Sequence, residues 1–248
     1  MHSIRNCAIV FKRELKSYFE SPVAYVFLVA FLMLVSFLTF SVTRYYERMS
    51  ADLTPFFTWH PWVYLLLVPA ATMSTWAEER KSGTIELLLT LPVTMTQAIL
   101  GKFFAAWAFI GLGLALTFPV VITTAFLGNP DIGVVIAGYL GSFLLAGAYV
   151  SIGILTSSMT RSQVIGFVIA LGVGLVLLLA GWEPILGFFR DAGAPNWIVE
   201  GVGSLSFMPH FESLRRGVID LRDVVYYISV MFFMIFLTHM VLENRKSA

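Results

Sequence analysis

Apolar residues gather in six long blocks, and the polar residues between them are few and tightly clustered. Windows 22–43, 53–77, 103–130, 132–160, 162–182 and 224–242 contain no Asp, Glu, Lys or Arg. A helix crosses the hydrocarbon core of a bilayer with about 20 apolar residues, so each window meets or approaches that length. Inside a bilayer every backbone polar group must find its partner within the chain, so the windows predict helices. The predicted fold class is all-α: a polytopic membrane protein with six transmembrane helices. Asp131 splits the longest apolar region within Gly128-Asn129-Pro130-Asp131, turn chemistry that predicts a hairpin between spans three and four. Thr160-Arg161-Ser162 marks a second tight turn before span five.

The N-terminal segment has a different pattern. Ile4, Ala8, Phe11, Leu15 and Phe19 fall at helical spacing beside Lys12, Arg13 and Lys16, which predicts a helix lying in the membrane interface over residues 1–21. Glu14 and Glu20 lie in the first twenty residues and the apolar window that follows is long, so a cleavable signal peptide is not expected. Pro22 allows a change of direction into the first span. The single domain then divides into spans one and two (22–77), a polar segment (78–102), spans three to five (103–182), an outer loop (183–223), and span six with its tail (224–248). The outer loop, with three prolines and Trp197, reads as short interfacial helices capping the outer face.

Composition agrees with the bilayer: 58% of the 248 residues are hydrophobic and 12% charged, about half the usual share for a soluble domain. The net charge of +1 gives no electrostatic case for nucleic acid. One cysteine, Cys7, excludes a disulfide framework. With six spans both termini share a side, and basic residues set which side it is. Placing the termini in the cytoplasm puts ten Lys and Arg inside against six outside, with all five lysines inside. The polar segment 78–102 is then cytoplasmic.

That segment is longer than a simple connection needs. Glu78, Glu79, Arg80 and Lys81 form a charge cluster, followed by Ser82, Gly83, Thr84, Ile85 and Glu86. Gly83 with Glu86 resembles a helix start, the acid being favourable in a first turn. Ile85 to Leu91 predicts a helix of about two turns that Pro92 stops. Thr94 with Gln97 forms a capping box for the run into span three. On pattern alone, a docking element and an ordinary amphipathic connector both remain open.

The order of an interfacial helix, a second span ending in Glu78-Glu79-Arg80, and the run Lys81-Ser-Gly-Thr-Ile-Glu-Leu-Leu-Leu-Thr-Leu-Pro-Val-Thr94 resembles permease subunits of ABC type-2 transporters, closest to the gliding-motility-type subgroup. The outer stretch from His210 to Asp223, with Phe211, Glu212, Arg215, Arg216 and Asp220, is also similar to that subgroup. The resemblance implies that Glu78 to Glu86 form a short cytoplasmic coupling helix and its lead-in, seated in a separate ATP-binding subunit. It implies that the N-terminal helix, with Phe11, Lys12, Arg13 and Leu15, is a connector helix against the same subunit. It also implies a second permease, identical or a paralogue, with the translocation path between the two, in the cytoplasmic membrane of a bacterium. Contact with membrane lipid is expected, and an outer partner protein is left open. No Gly-x-x-x-x-Gly-Lys-Ser/Thr loop occurs, so no cofactor is expected in this chain; ATP and magnesium would be held by the partner.

Other functions have less support. His2, His60, His210 and His239 are not at ligand spacing, so no metal site is expected. Ser151, Thr156, Ser157 and Ser158 have no activating His, Lys or Asp in a neighbouring span, which argues against an intramembrane protease. Hydroxyls bonding to their own helix explain these four better. Span interiors free of Asp, Glu, Lys and Arg count against an ion-coupled secondary transporter. A non-transporting membrane scaffold remains as an alternative. Gly133, Ala137 and Gly141, and likewise Gly166, Ala170 and Gly174, recur every four residues and predict close helix packing within the bundle, with a dimer seam as the other use.

Overall fold

The computed structural model describes residues 2–48, 50–84 and 93–244. Helix α1 (His2–Glu20) ends in a bend at Ser21, and α2 (Pro22–Phe37) starts at once with proline in its first turn, where a missing N–H costs nothing. A π turn (Leu38–Val42) and a 3-10 turn (Tyr45–Arg48) prolong α2. Then come α3 (Thr54–Thr58), α4 (His60–Thr72), α5 (Ser74–Ser82), α6 (Met95–Ala115) and α7 (Phe118–Leu127). The chain continues through α8 (Ile132–Met159), α9 (Gln163–Leu179), α10 (Glu183–Asp191), α11 (Asn196–Ser204), α12 (Phe207–Arg215) and α13 (Leu221–Asn244). No strand occurs among the described residues.

Among the described residues four stretches are long and apolar enough to cross a membrane: Ala24–Glu47, Met95–Leu127, Ile132–Met159 and Leu221–Asn244. A fifth joins α9 and α10, bent by 75°. At that bend Gly181 leaves room for Ser206, whose hydroxyl donates to the Leu178 carbonyl at 3.0 Å, and Pro184 opens the new helix.

The second apolar window behaves differently from the single span expected for 53–77. It is divided into α3, α4 and α5, with breaks at Trp59 and Met73. Pro55 and Pro61 stand at helix starts and Pro69 lies inside α4, where it removes a backbone donor. The 13 residues of α4 reach about 20 Å, short of the ~30 Å core.

Helix α8 is the central post. Nearly every residue from Leu144 to Ser158 is buried, and α13, α4, α9, α6 and α12 pack around it. Small residues make this possible: a Cβ at Gly141 would stand 2.8 Å from Leu214, and one at Gly174 of α9 would stand 2.9 Å from Tyr149. Gly141 and Gly174, one from each four-residue stripe, therefore serve packing within the chain. Asp131 caps α8, its carboxylate accepting from the Gly133 amide at 2.7 Å, and the Thr94–Gln97 capping box opens α6 with both reciprocal bonds present.

Candidate functional site

Helix α5 carries the charge cluster, and the structure shows how it is held. Lys102, on α6, is 3% exposed. Its ammonium lies 2.8 Å from Glu79 Oε1 on α5 and 3.2 Å from Glu14 Oε2 on α1, and donates to the Thr75 carbonyl at 3.2 Å. An ammonium has three N–H donors, and these three acceptors use them all. Nζ also sits 5.0 Å from the centre of the buried Trp76 ring. One buried cation therefore joins α1, α5 and α6. Burial acts to raise the Glu14 carboxyl, but Lys102 and Arg13 outweigh it and hold the group below its usual range.

The sign of the pH dependence follows. A depressed carboxyl contributes stability above its unfolded value, about 4.3, and loses it as pH falls through the lower folded value. Acidification below about pH 4 is expected to loosen α1 from α6, and limited proteolysis within α1 measures it. Glu14→Gln should flatten that response; an equally steep acid transition in the variant would count against Glu14 as its source.

A second anchor comes from α8. The Ser157 hydroxyl accepts from the Trp76 amide at 3.0 Å and the Ala77 amide at 3.1 Å, and donates to the Met73 carbonyl at 2.8 Å. The break at Met73 leaves first-turn amides of α5 needing acceptors, and a serine from another helix supplies one. Arg80 then donates to the Ser158 carbonyl at 2.5 Å. Ser151, Thr156 and Ser158 do bond to their own helix, as expected; Ser157 does not. Ser157→Ala strands two buried amides at about 1–3 kcal/mol each. Hydrogen exchange over 74–82 should speed up by at least tenfold; unchanged protection there would rule out this capping role.

Helix α5 ends at Gly83, whose φ of +75° is left-handed and favours glycine. Gly83 thus closes α5, and Thr84, the residue directly after it, is again helical. The stretch 85–92, with Ile85, Glu86 and the predicted coupling helix, lies outside the described residues.

Residues 63–196, from α4 to the first residue of α11 and more than half of the chain, match the family described as ABC-2 family transporter protein. The chain belongs to that family. No curated protein matches it. The permease is a multi-pass membrane protein, and its family implies an ATP-binding partner subunit in a transporter complex.

Within the permease the expected coupling residues divide into two sets. Glu79 and Arg80 face inward, on Lys102 and on the end of α8. Lys81, Ser82, Gly83 and Thr84 are exposed, and Glu78 is exposed with the Gln163 amide 3.5 Å away. On α1, Lys12 and Arg13 are exposed, Phe11 is half-buried, and Leu15 packs against the core. Pattern reading missed Val10, which is buried against Gly101, where an added Cβ would meet it at 2.6 Å. It also missed Glu14, Lys102 and Ser157 as a joined set; a lone lysine at the mouth of an apolar window was the available signal.

The outer residues form a separate cluster. His210 places Nδ1 2.7 Å from Asp223 Oδ1 and Nε2 3.1 Å from the Ser204 carbonyl, with its ring stacked on Tyr226. Phe211 is buried. Glu212 pairs with Arg215 and Arg216, and although burial acts to raise its carboxyl, the two guanidinium groups hold it low. Arg215 reaches the Thr58 hydroxyl, and Asp220 accepts from the Arg222 amide at 2.9 Å at the start of α13. Together these contacts tie α12 to α3 and α13. Among the described residues no group of three or more His, Cys, Asp or Glu could hold a metal ion.

Proposed function

We propose that this permease is the membrane subunit of an ATP-driven exporter, paired with a second copy or paralogue in a bacterial cytoplasmic membrane. It couples to a separate ATP-binding subunit through Thr84–Leu91, with both termini in the cytoplasm. The run from Lys81 to Thr94 supports the gliding-motility-type subgroup as its nearest kin.

The observation that carries this reading is the anchoring of α5. The stem leading to Thr84 is bound at once to α1, α6 and α8 through Lys102 and Ser157, while its tip from Lys81 to Thr84 is exposed. An exposed tip on an anchored stem suits the transfer of a rigid-body push from a soluble motor into the bundle. Exposed charges at the tip suit recognition and register with a partner.

The test follows from this division of labour. Replacing 84–91 by a Gly/Ser linker of equal length should abolish co-purification of an ATP-binding subunit while leaving membrane insertion unchanged. Retention of a stoichiometric ATP-binding subunit by that variant would defeat the docking role. Recovery of the native chain with no such subunit would favour a non-transporting scaffold.

A further inference from the structure

A large cleft among the described residues lies between the α1–α2 elbow and the α4–α5 joint, with a volume of about 1350 Å³. Its two ends differ in chemistry. Towards α1 and α5 it is lined by Arg13, Lys16 and Lys102 and by Glu14, Glu20, Glu78 and Glu79. Towards α2 and α4 its walls are Val26, Phe27, Ala30, Leu67 and Ala70. Small-molecule pockets run about 300–1,000 Å³, so this cleft is larger, and its charged lining lies at one end. It also sits where α1, an interfacial helix by its pattern, meets the first long apolar stretch, the junction that an interfacial helix would set near the lipid head groups.

The polar end carries both signs of charge. Lys16 and Arg13 project from α1; their pairs with Glu20 and Glu14 join residues of the same helix and leave the basic side chains exposed. Such surface pairs hold weakly and exchange readily for a better partner. Glu78 stands on α5, and its carboxylate accepts a long contact from the Gln163 side-chain amide at 3.5 Å. Glu79 has one oxygen on Lys102, while its other, Oε2, is buried without a hydrogen bond. A buried carboxylate oxygen left in that state calls for a donor.

We propose that the cleft binds a phospholipid with a primary-amine phosphate head group, taken from the leaflet on the α1 side. The phosphate meets Lys16 and Arg13, the ammonium meets Glu78 and Glu79, and the acyl chains lie along Val26, Phe27, Ala30 and Ala70. An anionic glycerol head group would bring a net negative charge among four carboxylates and offer no ammonium. A choline head group is too methylated to donate a hydrogen bond to Glu79. The inference rests on the membrane placement of the chain and is independent of the coupling reading.

The test uses the full chain in nanodiscs of the choline lipid, with small equal amounts of ethanolamine and glycerol phospholipids bearing a photoreactive acyl chain. Labelled peptides and retained lipids are read by mass spectrometry. The ethanolamine lipid is expected to be retained about tenfold over the glycerol lipid, and to label α2 and α4 around Val26 and Ala70. Lys16→Gln with Glu78→Gln, both surface changes, should erase the preference, and Ala70→Phe should block labelling by filling the wall. Equal retention of the two lipids, or labelling spread over all lipid-facing helices, overturns the proposal by reducing the cleft to ordinary boundary lipid. A lipid-free dimer with α2 and α4 covered by a second copy overturns it in favour of a subunit interface. Neither result depends on the ATP-binding subunit, so a failure here is distinct from a failure of the coupling reading.

Discussion

Replacing Lys102 with methionine is expected to cost the permease about 3 kcal/mol and to cut coupled ATP turnover far more than it cuts association with the ATP-binding subunit. Removing one member of a buried ion pair leaves the others uncompensated, a loss that reaches about 3–5 kcal/mol. The lower end applies because Glu14 and Glu79 keep 18% and 23% of their side-chain surface. The consequence is specific because α5 loses its link to α1 and α6 but keeps Ser157 and its exposed tip. On the proposed coupling, the exposed tip stays intact while its stem goes slack. Thermal unfolding in detergent measures the first effect, and ATP turnover by the purified complex measures the second. Adding Glu14→Gln and Glu79→Gln to Lys102→Met should return part of the stability, since neutral amides no longer repel one another. A Lys102→Met complex with wild-type turnover would show that the buried cation is structural and nothing more.

The second large effect is expected at Gly153. A Cβ there would fall on top of the Thr72 hydroxyl and 2.9 Å from Thr72 Cβ, at the point where α8 crosses the end of α4. Overpacking of a filled core costs about 1–3 kcal/mol, so Gly153→Ala should lower the unfolding temperature and shift α4 away from α8. Because α5 follows α4 after one residue, the shift should also weaken the Ser157 bonds, visible as faster hydrogen exchange at Trp76 and Ala77. Gly153→Ala with Thr72→Ala should recover part of the loss, since the hydroxyl is gone while Cβ remains. No recovery in the double variant would point to a cause other than this contact.

The α-helical class, the membrane location and most helix boundaries were legible in the chain, because charge exclusion and turn chemistry act locally. Asp131, Pro22 and the Thr94–Gln97 pair each do in the structure what their neighbours in sequence predict. The second window shows where that logic ends. Its composition satisfies the length rule, yet Pro55, Pro61 and Pro69 divide it, and hydropathy summed over a window is blind to missing amides. Gly83 shows a related limit: glycine suits either end of a helix, and its φ of +75° closes α5 while Thr84 after it is again helical. Lys102, Glu14 and Ser157 were hidden more deeply. They lie 88 and 55 residues apart along the chain, and only the packing of α1, α5, α6 and α8 makes them one site. Ser157 in particular sits among hydroxyls that bond to their own helix, and nothing in its neighbours sets it apart.

The divided second window also changes how force travels. A single straight helix would act as a crankshaft, carrying torque from one face of the membrane to the other. Helices α3, α4 and α5 are instead links of a chain, and each has its own side contacts. Arg215 of α12 reaches Thr58 at the end of α3, Phe31 of α2 stacks on Tyr64 of α4, and Ser157 of α8 holds α5. On the proposed coupling, a pull applied at Gly83 would pass sideways into α8 before it could run lengthwise to Thr58. In that coupling the joint at Met73 would work as a clutch, engaged for as long as the Ser157 hydroxyl stays in place.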